Sequence, residues 1–478
     1  MVCAQYLEDF DMSNQMRSAD VASQPVPPVE RQATHRVALI ADDRSATAAS
    51  KLLQHLFRDF NGSIALRLWD GTVLRVGKSH ADEWDPRFTL VFRDPRVVRS
   101  MVLGRDPLRL AEAYFSGSVD IEGDFFAALA LKDQLQSIQI PVRDRLGALF
   151  SALRLPASSS AGADAAGRRV PRHGRSFKAH SKQGDRDAIQ FHYDVSNDFY
   201  ASWLDGAMVY SCAYFENPND TLEQAQQAKL EHICRKLLLQ PGERFLDIGC
   251  GWGALVMHAA QHYGVHAHGI TLSRQQLDLA RQRIWEAGLE DRVTVELRDY
   301  RDLEGDAVYD KIASVGMFEH VGLKNLPVYF SSAHRLLKPA GLFLNHGITH
   351  DVEGWKRTVS TEFINRYVFP DGQLDTVGNI QRAMEHAGLE ILDVEALRRH
   401  YALTLRHWVA RLERQHVRVM KVVSESTYRV WRLYMSACAL EFESGEIGVY
   451  QILASKRCRS LAPSPLTRRH LYSAASPT

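Results

Sequence analysis

The stretch Glu243–Leu255, ERFLDIGCGWGAL, sets the fold. Its apolar residues read as a short buried strand ending in Asp247, and the helical pattern GALVMHAAQHYG follows, stopped by Gly264. Between them Gly249, Gly251 and Gly253 make a tight turn. Glycines at this spacing let a ligand approach the backbone closely, which a Cβ would prevent. Outward from the turn, strands and helices alternate. VHAHGITL, RVTVELRDY, YDKIASVG and AGLFLNHGI read as strands. SRQQLDLARQRIWEAG reads as a helix with Ser273 as its cap and Gly288 as its stop, and NLPVYFSSAHRLLKP as another. GVYQILASKR closes the sheet. This order predicts an α/β fold with a doubly wound, mainly parallel sheet.

The rest of the chain divides by composition. Residues 1–35, with QPVPPVE and no periodicity, read as a disordered leader. Residues 36–155 read as a small α+β domain. SIALRLWDGTVLRVG gives two strands around the turn Asp70-Gly71, RFTLVFRD a third, and DPRVVRSMVLG, DPLRLAEAYFSG and GDFFAALALKDQLQSI give helices. Residues 156–184 are rich in Ala, Ser, Gly and Arg and read as a basic flexible linker. Ala165–Lys182 holds six Lys/Arg and no acid, so the linker is a solvated spacer or, in the minority reading, a lipid-headgroup contact. The α/β domain spans 185–458, followed by a tail, 459–478. Within it Leu405, Trp408, Val409 and Leu412 share one helical face, and Trp431, Tyr434, Met435, Cys438 and Phe442 another. These stripes read as core, with a lipid slot as the alternative.

Over 478 residues, 58 Lys plus Arg nearly cancel 57 Asp plus Glu, so no global field calls for nucleic acid. The six cysteines are dispersed with no C-x-x-C pair, which argues against a disulfide framework or structural zinc and suits a reducing cytoplasm. The opening MVCAQYLEDFDMSNQ lacks the apolar core of a secretory leader. No apolar run approaches the roughly 18 residues of a membrane span. Any membrane contact is expected at the surface.

The turn also narrows the ligand. Its G-x-G-x-G spacing, preceded by an acid, departs from the G-x-G-x-x-G fingerprint that receives a pyrophosphate, which disfavours a nicotinamide-dependent dehydrogenase. It resembles motif I of the class I S-adenosylmethionine-dependent methyltransferases, and so implies their Rossmann-like, seven-stranded sheet. Many such enzymes hold the ribose with an acid at the end of the second strand; here Thr271 stands in that place. Asp299 and Tyr300, at the next strand end, could face and stack on an adenine, with a surface aromatic as the plain reading of Tyr300.

Several further blocks point one way. FHYDVSNDFYASWLD, VYSCAYFE, LDIGCGWG, GITLS, GMFEHVG, LKPAGLFLNHGIT and FINRYVFPDG follow in order over residues 185–457. Together they resemble the cyclopropane-fatty-acyl-phospholipid synthases, including the mycolic acid cyclopropane synthases. AEAYFSGSVDIEGDFFAAL resembles, less specifically, the extra lipid-associated domain of the longer members. The resemblance implies methyl transfer from S-adenosylmethionine to the cis double bond of a phospholipid acyl chain. It implies a bound bicarbonate ion as base, caged by Cys212, Glu319, His346, the Ile348 backbone and Tyr401. Tyr210, Ser211, Gly249, Gly251, Thr271, Leu272, Gln276 and Tyr300 would contact the cofactor, beside Asp247, Gly253 and Asp299 from the motifs. Arg301 departs from the acid of mycobacterial relatives.

The expected partners are unsaturated phospholipid acyl chains and the inner membrane face, met peripherally from the cytoplasm, with no metal and a homodimer allowed. Tyr193, Phe199, Tyr200, Tyr210, Tyr214 and Phe215 could stabilise a carbocation or be ordinary core. Taken alone, His346 would be a core histidine; the matching block reverses that, while His320 and His350 stay structural. Cys212 alone could be nucleophile, metal ligand, disulfide half or packing residue; the resemblance makes it a wall of the anion cage. Alternatives are methyl-branched lipid formation, a small-molecule N-methyltransferase on the same scaffold, and a lipid-binding protein without catalysis.

Overall fold

In the computed structural model, residues 43–57, 63–77, 86–103, 108–131, 152, 155–156, 180–193, 195–354, 358–369, 372–458 and 464–472 are described. The expected leader and most of the basic linker lie outside them; the linker's last residues, from Lys182, already belong to a helix. Helix α1 (Asp43–Leu56) precedes strands β1 (Ile64–Arg67), β2 (Val73–Val76) and β3 (Phe88–Phe92). Helices α2 (Pro95–Leu103) and α3 (Arg109–Phe115), strand β4 (Val119–Gly123) and helix α4 (Phe125–Leu129) follow. The four strands form one sheet in the order β2-β1-β3-β4. The β1–β2 turn is held by Asp70, whose carboxylate accepts from the Thr72 backbone N–H at 3.0 Å, with Gly71 at φ 91°. Its own core joins Leu52, Leu53, Leu66, Phe88 and Phe92.

The larger sheet has seven strands in the order β10-β11-β9-β8-β5-β6-β7. These are β5 (Arg244–Ile248), β6 (His266–Thr271), β7 (Val293–Leu297), β8 (Tyr309–Val315), β9 (Leu337–His350), β10 (Leu389–Ala396) and β11 (Ile447–Lys456). From β9 to β7 the pairings are parallel, while β11 runs antiparallel to both β9 and β10. The strand expected to close the sheet, β11, is therefore internal, and LEILDVEA (β10) forms the edge. Its alternation is interrupted by a register shift between Ile391 and Asp393, which hid it in the sequence.

Helices α5 (Lys182–Tyr193), α6 (Leu222–Lys236), α7 (Ala254–Tyr263), α8 (Arg274–Glu286), α9 (Leu326–Leu336), α10 (Val359–Tyr367), α11 (Val377–His386), α12 (Arg398–Arg414) and α13 (Glu425–Ser444) surround this sheet. Ser273 caps α8 by accepting from the Gln276 N–H, and Gly264 ends α7 in the left-handed conformation. The two sheets belong to one compact unit, Asp43–Thr478. Arginines of α12 and α13 cover the rings of α4: Arg432 lies 3.8 Å from the Phe125 ring centroid and Arg406 4.2 Å from that of Phe126. The Tyr367 hydroxyl, on α10, donates to Glu112 at 2.6 Å.

Candidate active site

Two cavities open at the carboxyl ends of the parallel strands, where doubly wound sheets receive ligands. The first is built on the glycine turn. Gly249 and Gly251 have φ of 86° and 53°, and a Cβ on Gly249 would lie 2.9 Å from Met317. Tyr210, Ser211, Asp247, Gly249, Gly251, Thr271, Leu272, Gln276, Asp299 and Tyr300 all line it. Gly253, expected here, is not in the wall. It starts α7 at φ 85°, and a Cβ there would press on Ala280 of α8 at 3.3 Å, so its work is helix packing.

Where an acid was missing at the end of β6, Thr271 donates from its hydroxyl to the Gln276 side chain at 2.7 Å. Asp299 accepts from the Arg301 guanidinium at 2.8 and 2.6 Å, and Arg301 also reaches Asp185 of α5 at 2.9 Å. The departure at Arg301 thus ties α5 to the segment after β7 in the wall of this cavity. Asp247 is buried, its Oδ1 has no hydrogen-bond partner, and burial lifts its carboxyl to about 7.

The second cavity, about 600 Å³, meets the first along Tyr210, Ser211, Gly316 and His320, which line both. All five expected cage residues, Cys212, Glu319, His346, Ile348 and Tyr401, line it. His346 and Ile348 share one face of β9 by the two-residue period of a strand. Glu319 follows β8, and its Oε1 accepts from the Ile348 backbone N–H at 2.8 Å while its buried Oε2 is unpartnered. Gly347 makes this approach possible, since a Cβ would fall 2.0 Å from the Phe318 ring. The Gln451 amide donates to His346 Nδ1 at 3.3 Å, which leaves the proton on Nε2, a buried atom with no partner.

Burial raises Glu319 to about 7 and lowers His346 to about 3, so the site holds a proton-sharing carboxyl and a neutral imidazole. Burial also pushes the Cys212 thiol far up, leaving no thiolate to act as nucleophile.

The aromatic run divides differently from expectation. Of its members with described side chains, only Tyr210 lines the second cavity. Phe199 and Tyr200 are fully buried against Trp203 and Trp431, Tyr214 stacks 4.2 Å from His232, and Phe215 5.5 Å from His407. The side chain of Tyr193 lies outside the described residues. The rings facing the cavity with Tyr210 are Phe369, Tyr401, Tyr434 and Phe442. The helical stripes split in the same way: Leu405, Tyr434, Cys438 and Phe442 reach the cavity, while Trp408, Leu412, Trp431 and Met435 are core. His320 and His350, left as structural, also line it.

Residues 180–452 match the family described as mycolic acid cyclopropane synthetase. The chain belongs to that family. Residues 50–136 match a domain of unknown function. A probable fatty acid methyltransferase of Pseudomonas putida is 42% identical over 397 residues, 82% of this chain and 92% of its own. The cyclopropane-fatty-acyl-phospholipid synthase of Escherichia coli is 41% identical over 285 residues, 59% of this chain and 71% of its own. The solved cyclopropane synthase MmaA2 of Mycobacterium tuberculosis superposes with a TM-score of 0.54 at 34% identity, covering 57% of this chain and 98% of that one. As a member of the synthetase family with this sheet, the chain is a class I S-adenosylmethionine-dependent methyltransferase.

Within this family member, sequence reasoning missed Lys229. It lies on α6, 2% exposed, lines the first cavity and donates to the Ser211 hydroxyl at 3.0 Å. The segment AQQAKLE gave no signal, because a lysine on an amphipathic helix ordinarily faces water.

Proposed function

We propose that this methyltransferase converts the cis double bond of a phospholipid acyl chain into a cyclopropane ring, using a caged bicarbonate ion as base. One observation carries the reading. Two buried polar atoms without partners, Glu319 Oε2 and His346 Nε2, belong to the wall of a large, mostly apolar cavity that meets the cofactor cavity at Tyr210 and Ser211. A buried polar atom without a partner costs roughly 1–3 kcal/mol, so such a pair is a site for a small polar guest. The donor set suits an oxyanion: a protonated Glu319 and the Nε2–H of His346 both donate.

When bound, S-adenosylmethionine supplies an electrophilic methyl group, and bicarbonate accepts the proton released before ring closure. The chain's own residues do the rest. Leu405, Ile364, Ile348 and Val449 give the acyl chain a dry slot, and the junction at Tyr210–Ser211 aligns it with the cofactor. Alignment of that kind is worth on the order of 7–11 kcal/mol. Tyr210, Tyr401, Tyr434 and Phe442 present ring faces and edges to positive charge developing on the acyl chain. Glu319 and His346 would hold the base in the wall of the slot and share a proton with it. The acyl chain of a phospholipid resides in a bilayer, so the second cavity would be filled at a membrane surface.

A second reading is a methyl-branched product, favoured by the fatty acid methyltransferase name of the relative that matches 82% of the chain. Expression in a host without such enzymes, with its fatty acids analysed by mass, separates the two. The expected product gains one methylene unit and loses its olefin signal. Gain of a methylene with the olefin retained, or with two further hydrogens, overturns ring closure; no gain overturns both readings.

A further inference from the structure

We infer that Lys229 is the cation that receives the α-carboxylate of the amino-acid moiety of the cofactor, opposite Asp247, which receives its α-ammonium. The inference rests on reading the first cavity as the cofactor site and goes further, by assigning a ligand contact to a residue outside every motif.

The geometry is specific. Lys229 projects from α6 beneath the irregular segment 209–212, the wall between the two cavities. One turn earlier on the same helix, Gln226 donates to the backbone carbonyls of Val209 and Ser211 at 3.3 and 3.0 Å. Lys229 itself donates to the Ser211 hydroxyl at 3.0 Å. An ammonium carries three N–H donors. Among the described residues only this one bond is formed, to a neutral hydroxyl, so two donors remain on a buried side chain that lines the cavity.

Nearby acids do not use them up. The Asp205 carboxylate accepts from the Ala207 and Val209 backbone N–H groups at 2.9 and 2.8 Å. Asp247 leaves its Oδ1 without a partner. A buried cation and a buried carboxylate, each incompletely paired, line the same cavity as Thr271, Gln276, Asp299 and Tyr300. That is the charge pattern of a zwitterionic α-amino acid, presented in reverse. It would also set direction: Lys229 donates to Ser211, which lines both cavities, so an amino-acid moiety held there would turn the sulfonium toward the second cavity. Burial lowers Lys229 to about 8, opposed by Asp205, Cys212 and Asp247, so the ammonium is still charged near neutral pH.

The alternative is that Lys229 merely braces Ser211. Two ligands separate the roles. S-adenosylhomocysteine carries the amino-acid moiety; 5′-methylthioadenosine shares its adenosine and thioether but lacks that moiety. Calorimetric titration of the full chain and of Lys229→Met with both should show S-adenosylhomocysteine weakened about 10- to 100-fold, the worth of a charge-assisted hydrogen bond. Methylthioadenosine should change less than about 2-fold, within the noise of a neutral contact. Equal loss for both ligands, or loss for neither, overturns the assignment.

If Lys229→Met does not fold, the wild-type chain is titrated with S-adenosylhomocysteine and its decarboxylated analogue, S-adenosyl-3-thiopropylamine. A similar loss for the analogue supports the assignment, and equal affinities overturn it. Failure of S-adenosylhomocysteine to bind the wild-type chain at all would instead overturn the cofactor reading itself.

Discussion

The two cavities share a wall yet are built by opposite means. The first is made of strand ends and the turns that follow them, within Asp247–Arg301 for most of its lining, and carries charge on Lys229, Asp247, Asp299 and Arg301. The second draws on β9, α10, α12, α13, β11 and the segment after β8, and its aromatic and aliphatic lining surrounds the buried carboxyl of Glu319 and imidazole of His346, with His320, His350, Asp351, Glu441 and Glu446 also in the wall. A charged cofactor needs fixed backbone and paired charges; an acyl chain needs only a dry slot of the right volume. The difference teaches that chemistry is concentrated where the two meet, and that each cavity should fail separately.

The largest break should come from Glu319→Gln. This change removes the shared proton but keeps shape, so product should fall by about 10²–10⁴-fold, the range for a lost acid–base group. S-adenosylhomocysteine affinity should stay within about 2-fold, because the first cavity is untouched. Mass analysis of lipid product and calorimetry check the pair; a parallel loss of affinity would erase the division. The mirror experiment is Gly249→Ala. A side chain at φ 86° with Met317 at 2.9 Å costs about 1–2 kcal/mol, or roughly ten-fold in S-adenosylhomocysteine affinity. The second cavity should keep its apolar ligand affinity, measured with a fluorescent fatty acid.

The smallest effect is on stability. Burial raises Glu319 from 4.5 to about 7, so the folded chain keeps a proton that the unfolded chain releases between those values. Its contribution is full below about pH 4.5 and is lost as pH rises through about 7. Glu319→Gln should therefore flatten the decline of stability between about pH 5 and pH 8 by on the order of 1–3 kcal/mol. Asp247, also raised to about 7, keeps part of the slope. Denaturant titrations at several pH values test this, and an unchanged slope would mean that Glu319 ionises freely in the folded chain.

Legibility followed the same division. Ser273 as cap, Gly264 as stop and the glycine turn were readable because each acts on backbone within a few residues. Gly253 was misplaced because a glycine that packs two helices and one that receives a ligand look alike in a row of letters. The aromatic run from Tyr193 to Phe215 could have been a cation-stabilising wall or ordinary core, and packing decided it: Phe199 and Tyr200 are core, and among the described side chains of the run only Tyr210 lines the second cavity. Lys229 was invisible for the complementary reason: nothing local announces that a lysine will be buried.

Glu319 and His346 were named by the resemblance of their blocks to a family; by itself the sequence determined the parallel sheet and the cofactor turn at its centre. These follow from short-range periodicity and from glycines that only certain turns require. Only the tertiary structure decided which rings face the second cavity, that β10 rather than β11 forms the edge, and that Lys229 meets Ser211 and lines one cavity with Asp247. Such contacts join residues distant in the chain, and whether a side chain meets water, a neighbour or a ligand is fixed only when the helices pack.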